Sequence, residues 1–142
     1  MTEGYIRFRS DYKYQLASEY KIKTPITPAQ AITSEFIDLD AEGNLLVKKG
    51  YAWDGPSGPV EDTKKNLRAS LVHDALYQLM RNELLVSRTH RKAADEEFRR
   101  ICKMDGVSAR RASTYYKALR KFGKPAASPS RKKKVSRAPE SD

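Results

Sequence analysis

The sequence predicts an α+β protein in which a small N-terminal antiparallel sheet is followed by a glycine-proline loop and three helices. Three observations predict this class. Alternating apolar segments fill the first third of the chain, and WDGPSGPVED then places two glycines and two prolines within ten residues. Beyond that loop follow three segments without internal glycine or proline. The 142 residues suffice for one domain with a hydrophobic core.

The predicted sheet covers about residues 5–53. Residues 12–26, YKYQLASEYKIKTPI, are rich in tyrosine and isoleucine and end in prolines, which favours extended structure. SEFIDLD and NLLVKKGYAW flank the short turn AEGN, so residues 34–53 are predicted to form a β-hairpin. Residues 54–62 are predicted to be a loop, because glycine and proline both interrupt regular structure there.

The predicted helices cover about residues 63–81, 88–104 and 108–122. In the first, TKKNLRASLVHDALYQLMR, apolar residues spread widely around the helical wheel, which indicates a mostly buried helix. Ser87 is placed to cap the second helix, which should end at Gly106. Ser108 is placed to cap the third, which should close at Gly123.

Residues 124–142 are predicted to be a disordered basic tail, which leaves a single domain over residues 1–123. The tail holds +4 of the net charge of +10 and has few apolar residues to bury. Its RKKK run could contact nucleic acid or an anionic membrane, or could serve only solubility. A single cysteine, no apolar run of about 20 residues and no signal-peptide pattern favour a reducing, cytoplasmic location.

The first two helices should form an antiparallel hairpin, because the connection between them is short. The midpoint of this hairpin falls near Leu84, and His73 and Asp95 lie equally far on either side of it. Residues equidistant from such a turn share one level, so the imidazole and the carboxylate can face each other. Arg91 and Arg99 are rival partners for Asp95, at one helical turn before and after it.

Two further residues of the first helix extend this candidate site. Tyr77 lies one turn from His73 and can place its hydroxyl near Asp95, whereas Asp74 points roughly 100° away, toward the glycine-proline loop. A carboxylate beside loop carbonyls is a hard oxygen site of the kind calcium uses, and a histidine oriented by a second carboxylate can activate water. The alternative is a buried polar network that only fixes the hairpin.

These residues carry two resemblances. GYAWDGPS, ASLVHDALY and the Ser-Arg followed by AADEEF resemble, in that order, an uncharacterised family common in tailed-phage and prophage genomes, a domain of unknown function. The resemblance implies a phage origin, hence the host cytoplasm or the virion, and other phage proteins as partners. The loop, the HDALY helix and AADEEF also resemble phospholipase A2, including the disulfide-free type of parvovirus capsids.

The second resemblance implies a calcium-dependent lipid esterase. It assigns activation of water to His73, orientation of the histidine to Asp95, support of Asp95 to Tyr77 and calcium binding to Asp74. Its calcium shell would be completed by carbonyls around Trp53, Gly55 and Ser57. The chain departs from the phospholipase pattern in its sparser loop glycines and in Pro56 within the loop.

Nucleic-acid or anionic-surface binding is a third hypothesis, compatible with either of the others. It rests on basic residues of the third helix, which lie beside two tyrosines, and on the basic tail. The residues concerned are Arg110, Arg111, Lys117, Arg120, Lys121, Arg131, Lys132, Lys133 and Lys134.

Overall fold

A computed structural model describes residues 6, 8–10, 14–56 and 63–129, and it confirms the α+β class. The strands are β1 (Phe8–Ser10), β2 (Tyr14–Leu16), β3 (Tyr20–Lys23), β4 (Ile32–Thr33), β5 (Ile37–Leu39), β6 (Asn44–Val47) and β7 (Ala52–Trp53). The helices are α1 (Leu67–Arg81), α2 (Ser87–Met104) and α3 (Ala109–Phe122), followed by a 3₁₀ turn, Lys124–Ala127.

The strands form two small antiparallel sheets, one ordered β1-β2-β7 and the other β3-β6-β5-β4. In the second sheet Val47 of β6 lies opposite both Tyr20 of β3 and Ile37 of β5, and all three side chains are buried. Alternate residues such as Lys21 and Lys23 face solvent. This alternation places one face of the sheet on the core.

The predicted hairpin at AEGN is the β5–β6 connection. The Asp40 carboxylate accepts hydrogen bonds from the backbone N–H groups of Glu42 and Asn44, both at 2.9 Å. Gly43 has φ +93°, and a side chain there would lie 2.0 Å from the Thr24 carbonyl oxygen. Glycine is therefore required at this position both by the turn and by the close approach of the neighbouring segment.

Two helix boundaries differ from the sequence prediction. Helix α1 begins at Leu67 rather than near residue 63, because the Asn66 side chain accepts a hydrogen bond from the Thr63 N–H and closes a turn first. Helix α2 begins at Ser87 itself, with Val86 at the capping position and no side-chain cap. Val86, with extended backbone, directly precedes the first helical residue, Ser87. The helix therefore begins one residue earlier than predicted.

The ends of α2 and α3 follow the predicted signals. Gly106 (φ +101°) follows α2, and the Ser108 hydroxyl caps α3 by accepting from the Arg111 N–H at 3.2 Å. Packed structure continues past Gly123, where the tail was expected to begin. The 3₁₀ turn buries Ala127, and its Ala126 carbonyl accepts a hydrogen bond from Arg81.

The sheets and the helices share one core, and polar contacts fix their relative position. The Trp53 indole donates to the Ser70 hydroxyl at 2.9 Å, and both residues are buried. The Arg68 guanidinium donates to the Tyr20 hydroxyl at 2.7 Å and to both carboxylate oxygens of Asp105. The Trp53–Ser70 contact holds strand β7 against α1, and the Arg68 contacts tie α1 to β3 and to the end of α2.

Candidate functional site

His73 and Asp95 face each other across the α1–α2 hairpin, as the spacing from the turn predicts. The distance from His73 Nε2 to Asp95 Oδ1 is 2.7 Å, and the Asp95 side chain is fully buried. Tyr77 also occupies its predicted place, because its hydroxyl donates to the same oxygen at 2.6 Å. Its ring packs on the imidazole with centroids 4.0 Å apart, so one carboxylate oxygen orients two side chains of α1.

The second oxygen of Asp95 is bound by arginines. Arg120 of α3 places Nη1 2.8 Å from Oδ2, and Arg91 of α2 places Nη1 3.5 Å from it. Of the two arginines predicted as rivals of His73, Arg91 is thus a partner in addition to the histidine. Arg99 instead lies over the Tyr116 ring, 4.5 Å from its centroid.

The role of Arg120 could not be read from its place in the basic third helix. Only the packing of α3 beside the hairpin brings its guanidinium to Asp95. Gly123 makes room for this cluster, because a Cβ there would lie 2.8 Å from the Tyr77 hydroxyl and 3.2 Å from Arg91 Nη1. The closing glycine of α3 is therefore also a steric requirement of the site.

The electrostatics of the cluster favour an ionised Asp95. Burial by itself would raise the pKa of Asp95, but hydrogen bonds from His73, Tyr77 and Arg120 outweigh it and lower the pKa below 3.8. Burial, together with the Asp95 charge, raises the pKa of Tyr77 and keeps its hydroxyl a donor. The centre is a buried carboxylate surrounded entirely by donors.

The other imidazole nitrogen of His73, Nδ1, is not held by Asp95. Within the described part of the chain Nδ1 has no hydrogen-bond partner. Every described side-chain nitrogen or oxygen that is shut off from solvent does have a hydrogen-bond partner. The residue as a whole is 3% exposed. The histidine thus has one nitrogen fixed by Asp95 and one without a hydrogen-bond partner among the described residues.

Asp74 points away from this cluster, toward the segment that leads into the glycine-proline loop. The Tyr51 hydroxyl donates to Asp74 Oδ2 and also contacts Gln78 Oε1 at 3.3 Å. Burial and the nearby Asp74 charge raise the pKa of Tyr51 well above its ordinary value. Asp74 Oδ1 has no hydrogen-bond partner among the described residues. The predicted separation of His73 and Asp74 into different surroundings is present.

The loop residues expected to complete a calcium shell are only partly described. Trp53 is buried against α1, and Gly55 has φ +87°, whereas Ser57 lies outside the described residues. Among the described residues no group of three or more His, Cys, Asp or Glu side chains could hold a metal ion. A cation beside Asp74 would therefore depend on backbone carbonyl oxygens.

The remaining predicted residues lie on the surface or outside the described part. Arg110, Arg111, Lys117 and Lys121 are exposed on α3. Arg131 and Lys132–Lys134 lie outside the described residues. A groove of about 640 Å³ on the outer face of the β3–β6 sheet has walls that include Lys23, Thr33 and Leu46, and it lies apart from His73.

Fold and site together define an α+β protein with a buried His-Asp-Tyr cluster in a helical hairpin. The sequence model of a family described as "Protein of unknown function (DUF1353)" matches residues 31–119, and the chain belongs to that family. The match spans both the hairpin strands and all members of the cluster except Arg120. No curated protein and no solved structure matches the chain. No helix among the described residues is long and apolar enough to cross a membrane.

Proposed function

We propose that the chain is a phage- or prophage-encoded lipid esterase of the phospholipase A2 type that acts through a water activated by His73. The observation that carries the proposal is that the two nitrogens of the His73 imidazole have different surroundings. Nε2 is held by Asp95 at 2.7 Å, while Nδ1 has no hydrogen-bond partner among the described residues. A general base needs this arrangement, because one nitrogen must be fixed and the other must meet the reacting water.

The proposed chemistry uses His73 as the base. Nδ1 accepts a proton from water as the water oxygen bonds to the ester carbonyl carbon. Asp95 stabilises the resulting imidazolium through Nε2–H, and Tyr77 holds the carboxylate in place. When the tetrahedral intermediate collapses, the bond to the alcohol oxygen breaks, and Nδ1–H returns the proton to that oxygen. Asp95 and Tyr77 are therefore positioning residues, and His73 is the residue that meets substrate.

Calcium is part of the same proposal. Asp74 offers a carboxylate oxygen that has no hydrogen-bond partner within the described chain, and oxygen donors of this type suit calcium. The residues that would hold the ion are Asp74 and the carbonyls of Trp53, Gly55 and Ser57. A calcium ion bound there supplies polarisation of the ester carbonyl.

The phage origin rests on the order of the three motifs and places the protein in the host cytoplasm or the virion. Its substrate would be glycerophospholipid in a membrane with anionic headgroups, because the chain carries a net charge of +10. Other phage proteins are the partners that such an origin implies.

A second candidate function is a non-catalytic virion or accessory protein, in which the cluster only fixes the hairpin. Two observations favour it. Arg120 and Arg91 both bind Asp95 Oδ2, which leaves less of its negative charge for an imidazolium, and His73 is only 3% exposed. Buried hydrogen-bonded networks can specify a unique packing without any catalytic role.

Fatty-acid release from mixed phospholipid micelles, with calcium or with a chelator, separates the two candidates. The esterase proposal expects calcium-dependent release that His73→Gln and Asp74→Asn each reduce at least about 10²-fold, in line with loss of a general base. His90→Gln is the matched control, since His90 is the other histidine of the chain and lies outside the cluster. Absence of release from the wild-type protein, or equal release from all variants, refutes the esterase and leaves the structural network.

A further inference from the structure

The charge of the described chain is strongly segregated. Residues 87–124 contain twelve Lys/Arg and four Asp/Glu, a net charge of +8, whereas residues 14–56 contain four Lys/Arg and six Asp/Glu, a net charge of −2. The helical half therefore carries most of the positive charge, independently of the tail. Segregation of this kind creates a field that attracts polyanions.

Ion pairs account for most of the acidic residues of this helical part, so they leave the outer surface almost purely basic. Asp95 is enclosed by His73 and arginines, Glu97 is buried and bound by Arg100, and Asp105 is bound by Arg68. The fourth acidic residue, Glu96, is exposed.

Three exposed basic residues of α2 and the partly buried Arg99 form one stripe. On a wheel of about 100° per residue, Arg88, Lys92, Arg99 and Lys103 lie within about 60° of one another. The stripe is next to α3, because Arg99 lies 4.5 Å above the Tyr116 ring. Fifteen residues separate its ends, so it is about 22 Å long at a rise of about 1.5 Å per residue.

A second stripe runs along the exposed side of α3. Arg110, Lys117 and Lys121 are exposed and fall within about 40° of one another on the wheel. Tyr116 and Arg120, which contact α2 residues Arg99 and Asp95, lie between the stripes. The two stripes together are called the seam face, which comprises Arg88, Lys92, Arg99, Lys103, Arg110, Lys117 and Lys121.

We propose that the seam face binds the sugar-phosphate backbone of duplex nucleic acid. The basic side chains are spread along both helices rather than collected at one end, which suits an extended polyanion. The large exposed apolar side chains of the described chain, Leu84, Val86, Met104 and Phe122, all lie near helix ends. Of these four, Phe122 contacts the seam face, with Lys121 Nζ 5.4 Å from its ring centroid, whereas membrane insertion through that face would require several. Tyr116 is covered by a guanidinium, so the face offers backbone contacts and no open stacking platform.

The binding should be independent of sequence and sensitive to salt. A stripe of about 22 Å spans about six phosphates along one strand at about 3.4 Å each. With about four of them neutralised, the logarithm of the binding constant should fall with the logarithm of salt concentration with a slope of about −4. The proposal is independent of the esterase chemistry, because no seam-face residue contacts His73.

Fluorescence anisotropy of the full chain with a labelled 16-base-pair DNA duplex tests the proposal. The variant Lys92→Gln, Lys103→Gln, Lys117→Gln should weaken binding about 10²-fold near 0.1 M salt and reduce the slope by about three. The control Lys23→Gln, Lys49→Gln, Lys64→Gln removes the same charge from exposed positions outside the seam face and should change affinity less than about threefold. Both variants should retain the wild-type melting temperature, since all six side chains are exposed.

Two further measurements complete the test. Deletion of residues 130–142 should leave the effect of the seam-face substitutions intact. The proposal is overturned if binding depends only on residues 130–142. It is also overturned if both triple variants lose binding equally. Phosphatidylglycerol vesicles serve as the competing partner in a sedimentation assay. Seam-face-dependent binding to vesicles without binding to the duplex also overturns it and identifies a membrane as the partner.

Discussion

Replacement of Asp95 by asparagine tests the central feature of the structure, because it preserves the size of a fully buried side chain and removes its charge. In the wild type every partner that the structure shows for this carboxylate is a donor, namely His73, Tyr77, Arg91 and Arg120. An amide can keep its oxygen toward His73 and Tyr77, but its NH₂ group must then face the arginines. The substitution therefore leaves two guanidinium groups opposite a donor.

The expected loss follows from this geometry. Removing one partner of a buried ion pair costs about 3–5 kcal/mol, because the remaining charge stays buried and unpaired. The Arg120 side chain is 33% exposed and can turn partly toward water, so the lower end, about 3 kcal/mol, is expected. For a domain of this size such a loss lowers the melting temperature by about 12 °C.

Urea unfolding followed by circular dichroism at pH 7 measures this loss. Glu96→Gln is the control, because the neighbouring residue is exposed and its neutralisation should change the free energy of unfolding by less than about 0.5 kcal/mol. Adding Arg120→Met to Asp95→Asn should recover part of the loss, since it removes one unpaired guanidinium. A loss below about 1 kcal/mol for Asp95→Asn would show that the carboxylate does not organise the cluster.

The same residue gives the wild-type protein an acid limit of stability. The pKa of Asp95 is lower in the folded chain than its ordinary value of 3.8, so ionised Asp95 favours folding above that pH. This contribution should decline as the pH falls from 3.8 through the lower folded pKa. The difference in unfolding free energy between wild type and Asp95→Asn should shrink over that window. A difference that is constant down to pH 2 contradicts the assignment.

Three further predictions concern other parts of the core. Tyr77→Phe removes the 2.6 Å hydrogen bond to Asp95 and should lower the free energy of unfolding by about 1.5–3 kcal/mol, measured by urea unfolding. An unchanged midpoint of the urea transition contradicts this expectation. Gly123→Ala places a Cβ 2.5 Å from the Leu119 carbonyl oxygen and should cost about 1–3 kcal/mol by the same measurement, whereas a neutral effect would show that α3 can shift. Burial raises the pKa of the Cys102 thiol to about 12, so Ellman's reagent should react with Cys102 only on unfolding, and rapid labelling of the native protein contradicts the packing.

Local signals were sufficient to predict the fold class, the helical hairpin and the His73–Asp95 pair. Their positions follow from helical periodicity and a short turn, which depend on nearby residues alone. The start of α1 was wrong by four residues because the Asn66 side chain closes a turn that apolar periodicity does not reveal. The position of Arg120 was also beyond the sequence, because it depends on how a third helix packs against the first two.

The arginines at Asp95 also decide how the two candidate functions can be separated. If Asp95 serves only to fix the hairpin, Arg120→Met and His73→Gln should each destabilise the protein and nothing more. If His73 is a base, Arg120→Met leaves more of the Asp95 charge to stabilise the imidazolium and should shift the pH profile of fatty-acid release upward. His73→Gln should abolish the release at every pH. An upward shift indicates that Arg120 weakens the charge of a catalytic carboxylate. Destabilisation without such a shift indicates that Arg120 only holds α3 in place.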